Sequence, residues 1–362
     1  MLITPPLHCS VIFFYTQYML TLSDASYDTK EILKWGGLFI AGMVILVTFF
    51  IFVKQTFFPT PPPKPTIAFG KLPPQLFPKN VIDKTPTYTI NTLSGALPQF
   101  PNQTKIFSIQ LNTPDLSGLS NATEMAKGGL FTQGPNKISD ILYEWTNPDK
   151  DKVSSNIDIN IVNYNFNVTS DYLNNSDILS GQELPSPSQS IIDAKGLLVN
   201  LNSFPADIDE TKTQTVLLSI KNGALTPATS FSSAQIVKIM FYQKDVNLLP
   251  IYYEKPDSSN IDALVGTKDQ VVELNYNHQT ITDAFSTYPL KTSQQAFADL
   301  QQGYAYIASY EGNSSNISIN NVLLAYYIGT DPQAYLMPIF VFEGNDNFIA
   351  YVPAVTDEWI NK

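Results

Sequence analysis

Close pairs of carboxylates are the residues of this chain best suited by type and spacing to do chemistry. Asp207, Asp209 and Glu210 fall within PADIDE, Asp149 and Asp151 within NPDKDK, and Glu343 and Asp346 within FEGNDN. Two acids a few ångströms apart can divide the general-acid and general-base roles or share a calcium ion. These groups are therefore the candidates for a carboxylate-dependent, glycan-acting enzyme. Each lies between apolar, strand-like runs, where turns belong, and none follows the D-x-[DN]-x-[DN]-G calcium pattern, which places them as solvated turn residues. Glu343 to Asn347 reads as a hairpin turn, with Gly and Asn supplying left-handed backbone.

Other catalytic sets lack their parts. His278 is the only histidine after His8, so neither a two-histidine metal site nor a triad with a second imidazole can be assembled. Its setting in NYNHQT reads as a solvated position in a strand. No G-x-S-x-G elbow, S-x-x-K pair, H-E-x-x-H helix or phosphate-binding loop occurs. The one thiol, Cys9, precedes the apolar segment described below, so the body carries no disulfide and no thiolate cluster. No catalytic, metal-binding or cofactor-binding residue is assigned, and no cofactor is expected.

Charge narrows the partners. All 21 basic residues are Lys, there is no Arg, and the net charge is −11. Without the guanidinium fork, and with a field that repels polyanions, nucleic acid is not an expected partner. Aromatics are the better binding signal. Tyr304, Tyr306, Tyr310, Tyr326, Tyr327 and Tyr335 crowd the last part of the chain. An exposed subset, Tyr304, Tyr306, Tyr310 and Tyr335, would form a platform for a peptide or glycan, in competition with cross-strand packing of the same rings.

The elements that must position these residues begin with an anchor. Residues 35 to 53, WGGLFIAGMVILVTFFIFV, carry no charge and lie between Lys34 and Lys54. As a helix they would reach roughly 28 Å, the depth of a bilayer's hydrocarbon core. Residues 1 to 34 form a short tail, of which 1 to 18 are expected to be untranslated, Met19 being the start. Lysines flank both ends of the span, so charge counting selects no topology. A short tail and a long polar body favour a signal anchor in the cell membrane, with one pass and the C-terminal body extracytoplasmic. Six N-x-S/T triplets, at Asn102, Asn121, Asn167, Asn174, Asn313 and Asn316, would then be exposed, although a chain with 28 Asn contains such triplets by chance.

Residues 54 to 87 are rich in proline, at 59, 61 to 63, 65, 73, 74, 78 and 86. They read as a polyproline stalk holding the body off the membrane. Beyond it the pattern predicts an α+β body of three helix-plus-antiparallel-sheet modules, at 88–180, 181–270 and 271–362. Helices are expected over 114–131, capped by Asp115 or Ser117, after Pro187, and from Thr292 or Ser293 to Gly303. Strands with period-two alternation follow each. The second and third modules align by eye, Phe241-Tyr242 against Tyr326-Tyr327 and Pro250 against Pro338. The strand 271–281 would join them, with Val272, Leu274 and Tyr276 on its buried face.

The run YPLKTSQQAFADLQQG, followed by INNVLLAYYIG, AYLMPIFVFEG and FIAYVPAV, resembles the ectodomains of YycI/YycH-type membrane-anchored regulators of two-component systems and PepSY-like modules. The resemblance covers about residues 235 to 356. It implies a non-catalytic, single-span extracytoplasmic protein that binds or regulates a partner protein, such as a sensor kinase, or a cell-envelope component. The sequence alone is consistent with that reading, with the carboxylate-dependent enzyme as the alternative.

Overall fold

The computed structural model describes residues 22–57, 63–80, 86–149 and 153–361. Asp151, Cys9, residues 1 to 18 and part of the expected stalk lie outside them. The chain divides into two units, one up to Lys64 and the other from Pro65 onward.

In the first unit, helix α1 runs from Leu22 to Phe57. Its stretch Leu33–Lys54 is long and apolar enough to cross a membrane. The stretch is apolar on all sides rather than along one stripe, and Trp35, Phe39, Leu46 and Phe50 are all exposed. That is the pattern of a helix meant for an apolar surrounding. The hydroxyl of Thr48, within the stretch, donates to the Val44 carbonyl one turn back, 2.8 Å away, so it is satisfied without water.

The second unit is α+β and mostly antiparallel. In chain order its elements are β1 (Thr87–Ile90), β2 (Gln103–Ile109), α2 (Gly118–Gly128), β3 (Gln133–Lys137), β4 (Leu142–Thr146), β5 (Ser155–Asn160) and β6 (Phe166–Ser170). There follow α3 (Ser176–Ser180), α4 (Pro187–Asn200), β7 (Gln214–Lys221), β8 (Ala224–Pro227), β9 (Ile236–Phe241), β10 (Ile251–Tyr253), β11 (Ile261–Val265) and β12 (Val271–Tyr276). The chain ends with β13 (Ile281–Pro289), α5 (Ser293–Gln301), β14 (Tyr306–Ser309), β15 (Asn316–Ile328), β16 (Tyr335–Gly344) and β17 (Ile349–Pro353).

Helices α4 and α5 begin at side-chain caps, whereas Ser117, at the start of α2, makes no capping hydrogen bond with its side chain. Ser186 accepts from the Gln189 amide and Pro187 occupies the first turn of α4, where its missing N–H costs nothing. Thr292 and Gln295 make a reciprocal capping box at the start of α5.

Nine strands form one antiparallel sheet in the order β3-β4-β5-β6-β12-β11-β9-β7-β8. Trp145, Ile157, Phe166, Val237 and Leu274 face α2 and α4, meeting Ala126 and Leu198 in a single core. After α2 the strands run inward as β3-β4-β5-β6 and after α4 as β7-β9-β11-β12, with β8 an extra edge strand on β7, so the two halves meet through their last strands, β6 and β12. The helices touch near their C-terminal ends. A Cβ on Gly128 would collide with the Asn200 carbonyl, so glycine is needed there for the close approach.

The other sheet runs β1-β15-β16-β17-β14, with β2 joining β16 and β13, and β10 lying parallel to β15. Helix α5 packs on it through Ala296 and Leu300, against Phe340, Phe342 and Val352. The chain crosses between sheets at 277–280, from β12 to β13. Val272 and Leu274 are buried in β12, as its alternation predicts.

Two expectations require correction. The strands are not shared out as three consecutive modules. β1 and β2 from 88–180 and β10 from 181–270 join the eight-stranded sheet, while β12 from 271–362 joins the nine-stranded one. Alternation along a strand identifies its buried face but not its partner. The second and third segments also differ in order. After α4 the strands form the meander β7-β9-β11-β12, whereas after α5 they lie β14-β17-β16-β15. Phe241 and Tyr327 are both buried, yet they occupy unrelated positions.

The expected stalk is in large part a strap on the body. The Ile67 amide donates to the Thr287 carbonyl at 3.2 Å, and Leu72, fully buried, bridges in parallel to Ile360. Phe77 stacks on Tyr306 at 5.5 Å and meets Tyr327 edge-on at 4.9 Å. Asn80 Oδ1 accepts the Ile307 amide at 2.8 Å, on the outer edge of β14. Proline forbids a helix here without forbidding a bonded, extended segment, which is the conformation found.

Candidate functional site: an amide-lined cleft

A cleft of about 920 Å³ lies at the end of the nine-stranded sheet where the chain passes to the other sheet. Several segments converge on it. The β5–β6 turn supplies Asn163 and Tyr164, α2 supplies Asn121 and Glu124, and the end of α4 supplies Asn200 and Asn202. The segment after β2 contributes Gln110 and Leu111, and the one at the end of β12 contributes Tyr276 and His278.

Asparagine builds the rim as well as lining it. Asn160 Oδ1 accepts the amides of Val162 and Asn163 at 2.9 and 3.4 Å, and Asn163 Oδ1 accepts that of Asn165 at 3.0 Å. These side-chain turns fix the hairpin and let Tyr164 hold a left-handed backbone, φ 58°. The Asn121 amide donates to the Tyr164 hydroxyl at 3.1 Å, tying α2 to the same turn.

Behind the rim lies a polar junction between the two sheets. His278 Nε2 stands 2.9 and 3.1 Å from the two oxygens of Asp207, and Gln243 Nε2 donates to Asp207 at 2.8 Å. Burial pushes the Asp207 carboxyl up, but the His278 and Gln243 hydrogen bonds outweigh it and hold it below the usual aspartate range. Gln279, buried, donates to the carbonyls of Gly329 and Asp331 and accepts the Gln333 amide at 3.1 Å. Asn260 reaches the same Gly329 carbonyl at 3.1 Å. The crossing at 277–280 is thus locked to the β15–β16 loop, which gives the cleft a rigid floor.

His278 is accordingly not a solvated strand residue. Its side chain is 10% exposed and paired. It follows β12, where the chain leaves the sheet, and the alternation that reads it as wet ends two residues earlier. Among the acidic candidates, Asp207 belongs to this junction, whereas Asp209 caps a short turn by accepting from Thr211, and Glu210 pairs with Lys195 at 2.7 Å. Glu343 accepts from Tyr252 and Asn321. Asp346 sits in the β16–β17 turn, as expected, but Asp346 and Asn347 supply its left-handed backbone. Gly344 instead makes room for the Ser318 carbonyl. Of the residues lining the cleft only Glu124 carries a carboxylate, so the two-acid arrangement of glycoside hydrolysis is not formed there.

The tyrosine platform does not assemble. Tyr306 is buried, Tyr310 is half-buried against Phe348, and Tyr335 packs on Phe69 at 5.0 Å. Only Tyr304, 69% exposed, stands free, beside a smaller cleft of about 470 Å³ with Lys291, Asp299 and Asp357. Lys291 bridges those carboxylates at 2.8 and 2.7 Å. The cleft asparagines escape notice in sequence because Asn is frequent throughout. The dense run NYNFN followed by NLN after α4 is the signal that could have marked them.

No protein-family model matches the sequence, and no curated protein matches it. Its structure is similar to the crystal structure of an uncharacterized protein from Eubacterium rectale ATCC 33656. The TM-score is 0.41 and the identity 14%, over 71% of this chain and 84% of that chain.

Proposed function

We propose that the protein is a non-enzymatic binding module, held in the cell membrane by α1 with its body extracytoplasmic, that engages a partner protein or cell-envelope component through the amide-lined cleft. One observation carries the reading. A cleft of about 920 Å³, near the upper end of the usual range for ligand sites, is walled by rigid, hydrogen-bonded turns and a locked junction. It offers many neutral donors and acceptors and a single carboxylate. That is equipment for recognition rather than for proton transfer or nucleophilic attack. The apolar stretch of α1 supports the membrane attachment.

Two measurements test this. A photocrosslinking residue at Leu111, exposed on the cleft rim, should trap a discrete partner in native membranes, while one at Leu93, exposed but outside the cleft, should not. Equal trapping at both, or none at Leu111, rejects the cleft as the binding surface. For orientation, Asn313→Cys should react with a membrane-impermeant maleimide on intact cells. Reaction only after lysis places the body on the other side.

A further inference from the structure

We infer that the ligand of the cleft is a neutral oligosaccharide segment. This rests on the binding reading above and names its ligand class. Seven of the lining residues are Asn, and Gln110 and Gln279 add two more amides. A side-chain amide presents a donor and an acceptor side by side, the complement of a hydroxyl or an acetamido group, each of which also does both.

Several of these groups are unspent. Asn200 and Asn202 are exposed, and their side chains make no hydrogen bond within the described residues. The Asn112 carbonyl oxygen accepts from Gln110 at 3.4 Å, which leaves the Asn112 N–H groups and the Gln110 carbonyl free. Tyr164 and Tyr276 add rings of the amphipathic kind that cover an apolar sugar face. Tyr276 is already stacked on Phe166 at 4.8 Å and 12°, so its orientation is set before any ligand arrives.

Competing ligands fit less well. The lining holds no Lys, its one histidine is committed to Asp207, and Lys127 beside it is paired with Glu124 at 2.8 Å, so a phosphate, sulfate or uronate would meet no unpaired countercharge. An extended peptide joining as an extra strand needs a free edge. The edges of the nine-stranded sheet are β3 and β8, and neither lines the cleft.

The test uses the full chain in nanodiscs with three probes: chitotetraose, maltotetraose and tetragalacturonate. At least one neutral tetrasaccharide should bind saturably with a Kd at or below about 1 mM, and tetragalacturonate should bind at least about tenfold more weakly. The double variant Gln110→Ala, Asn200→Ala removes two exposed amides without touching the core. It should weaken the neutral ligand about tenfold with an unchanged circular dichroism spectrum and melting temperature, while Asn313→Ala leaves affinity alone. Absence of saturable binding by either neutral probe at about 10 mM overturns the inference. So does equal binding of the anionic probe, or an unaltered affinity in the double variant. If both sugars fail while Leu111 still traps a polypeptide in membranes, the binding reading stands and the saccharide assignment falls. If Leu111 traps nothing and no sugar binds, both fall.

Discussion

His278 and Asp207, 71 residues apart in sequence, are hydrogen-bonded at 2.9 Å where the chain crosses from one sheet to the other. Asp207 comes from the loop after α4 and His278 from the end of β12, so the contact joins the helical layer to the crossing segment. Its carboxyl titrates below the usual aspartate range, and the sign of the linkage follows. A depressed folded value contributes stability that is present above the unfolded value, about 3.9, and is lost as pH falls through the folded one. Asp207→Asn should therefore soften the acid limb of a melting-temperature profile below about pH 4, and cost about 1–3 kcal/mol at neutral pH by weakening the hold on His278 and Gln243. An acid limb identical to wild type would show that the pair is not linked to folding.

Gly128 and Gly196 make an opposed pair. Both are in helices, and sequence gives no means of ranking them. A methyl group at Gly128 would meet the backbone carbonyl of Asn200, which is fixed at the end of α4, whereas one at Gly196 would meet nothing within 4 Å. Gly128→Ala should destabilise by about 1–3 kcal/mol through overpacking. Gly196→Ala should stabilise by about 0.5–1 kcal/mol through helix propensity. Urea unfolding of the two variants checks this, and equal signs would refute the α2–α4 approach.

What was legible followed from periodicity and capping. The buried faces of β5 (Ile157, Ile159) and β12 (Val272, Leu274) and the starts of α4 and α5 are written in alternation and in Ser-Pro and Thr-x-x-Gln signals. Which strands are neighbours was not legible. β10 pairs in parallel with β15 across a long stretch of chain, and no local pattern encodes a partner. The cleft was hidden for a similar reason: Asn163 and Asn202 look alike in sequence to any turn asparagine, and only the convergence of the two turns distinguishes them. Of the tyrosines expected to be exposed, Tyr306, Tyr310 and Tyr335 pack on Phe77, Phe348 and Phe69, rings distant in sequence that spacing along one strand does not reveal. Tyr326 and Tyr327 are adjacent, yet both are fully buried.

The strap tests whether the proline-rich segment around Leu72 is part of the body or a free spacer. Leu72 is fully buried with Ile106, Tyr288 and Met337, and its amide and carbonyl bond to Trp359 and Asn361 at 2.8 Å each. Leu72→Ala should cost about 2–5 kcal/mol and lower the single melting transition of the body. A free stalk would predict no change, so a variant as stable as wild type would restore the spacer reading for this segment.

Tyr327 supplies the last test, because it is the odd member of an aromatic cluster. Tyr306 donates its hydroxyl to the Glu254 carbonyl at 3.1 Å, Tyr351 to the Tyr253 carbonyl at 3.0 Å, and Tyr252 to Glu343 at 3.2 Å. Tyr327, fully buried between Phe77 and Tyr351, has no partner for its hydroxyl among the described residues. A buried donor left unpaired costs about 1–3 kcal/mol, so Tyr327→Phe should be neutral to stabilising, while Tyr351→Phe, which abandons the Tyr253 carbonyl, should destabilise. Alkaline titration adds an independent reading. Burial raises the Tyr327 phenol above its ordinary value, as it raises Tyr252 to about 12. A raised folded value contributes stability that is complete below the unfolded value of about 10 and is lost as pH rises through the folded one. Tyr327→Phe removes one such group and should lose less stability than wild type above about pH 10. Destabilisation by this variant at neutral pH would mean that the hydroxyl has found a partner, and the cavity between the strap and residues Gly329 to Gln333 would be where to look for it.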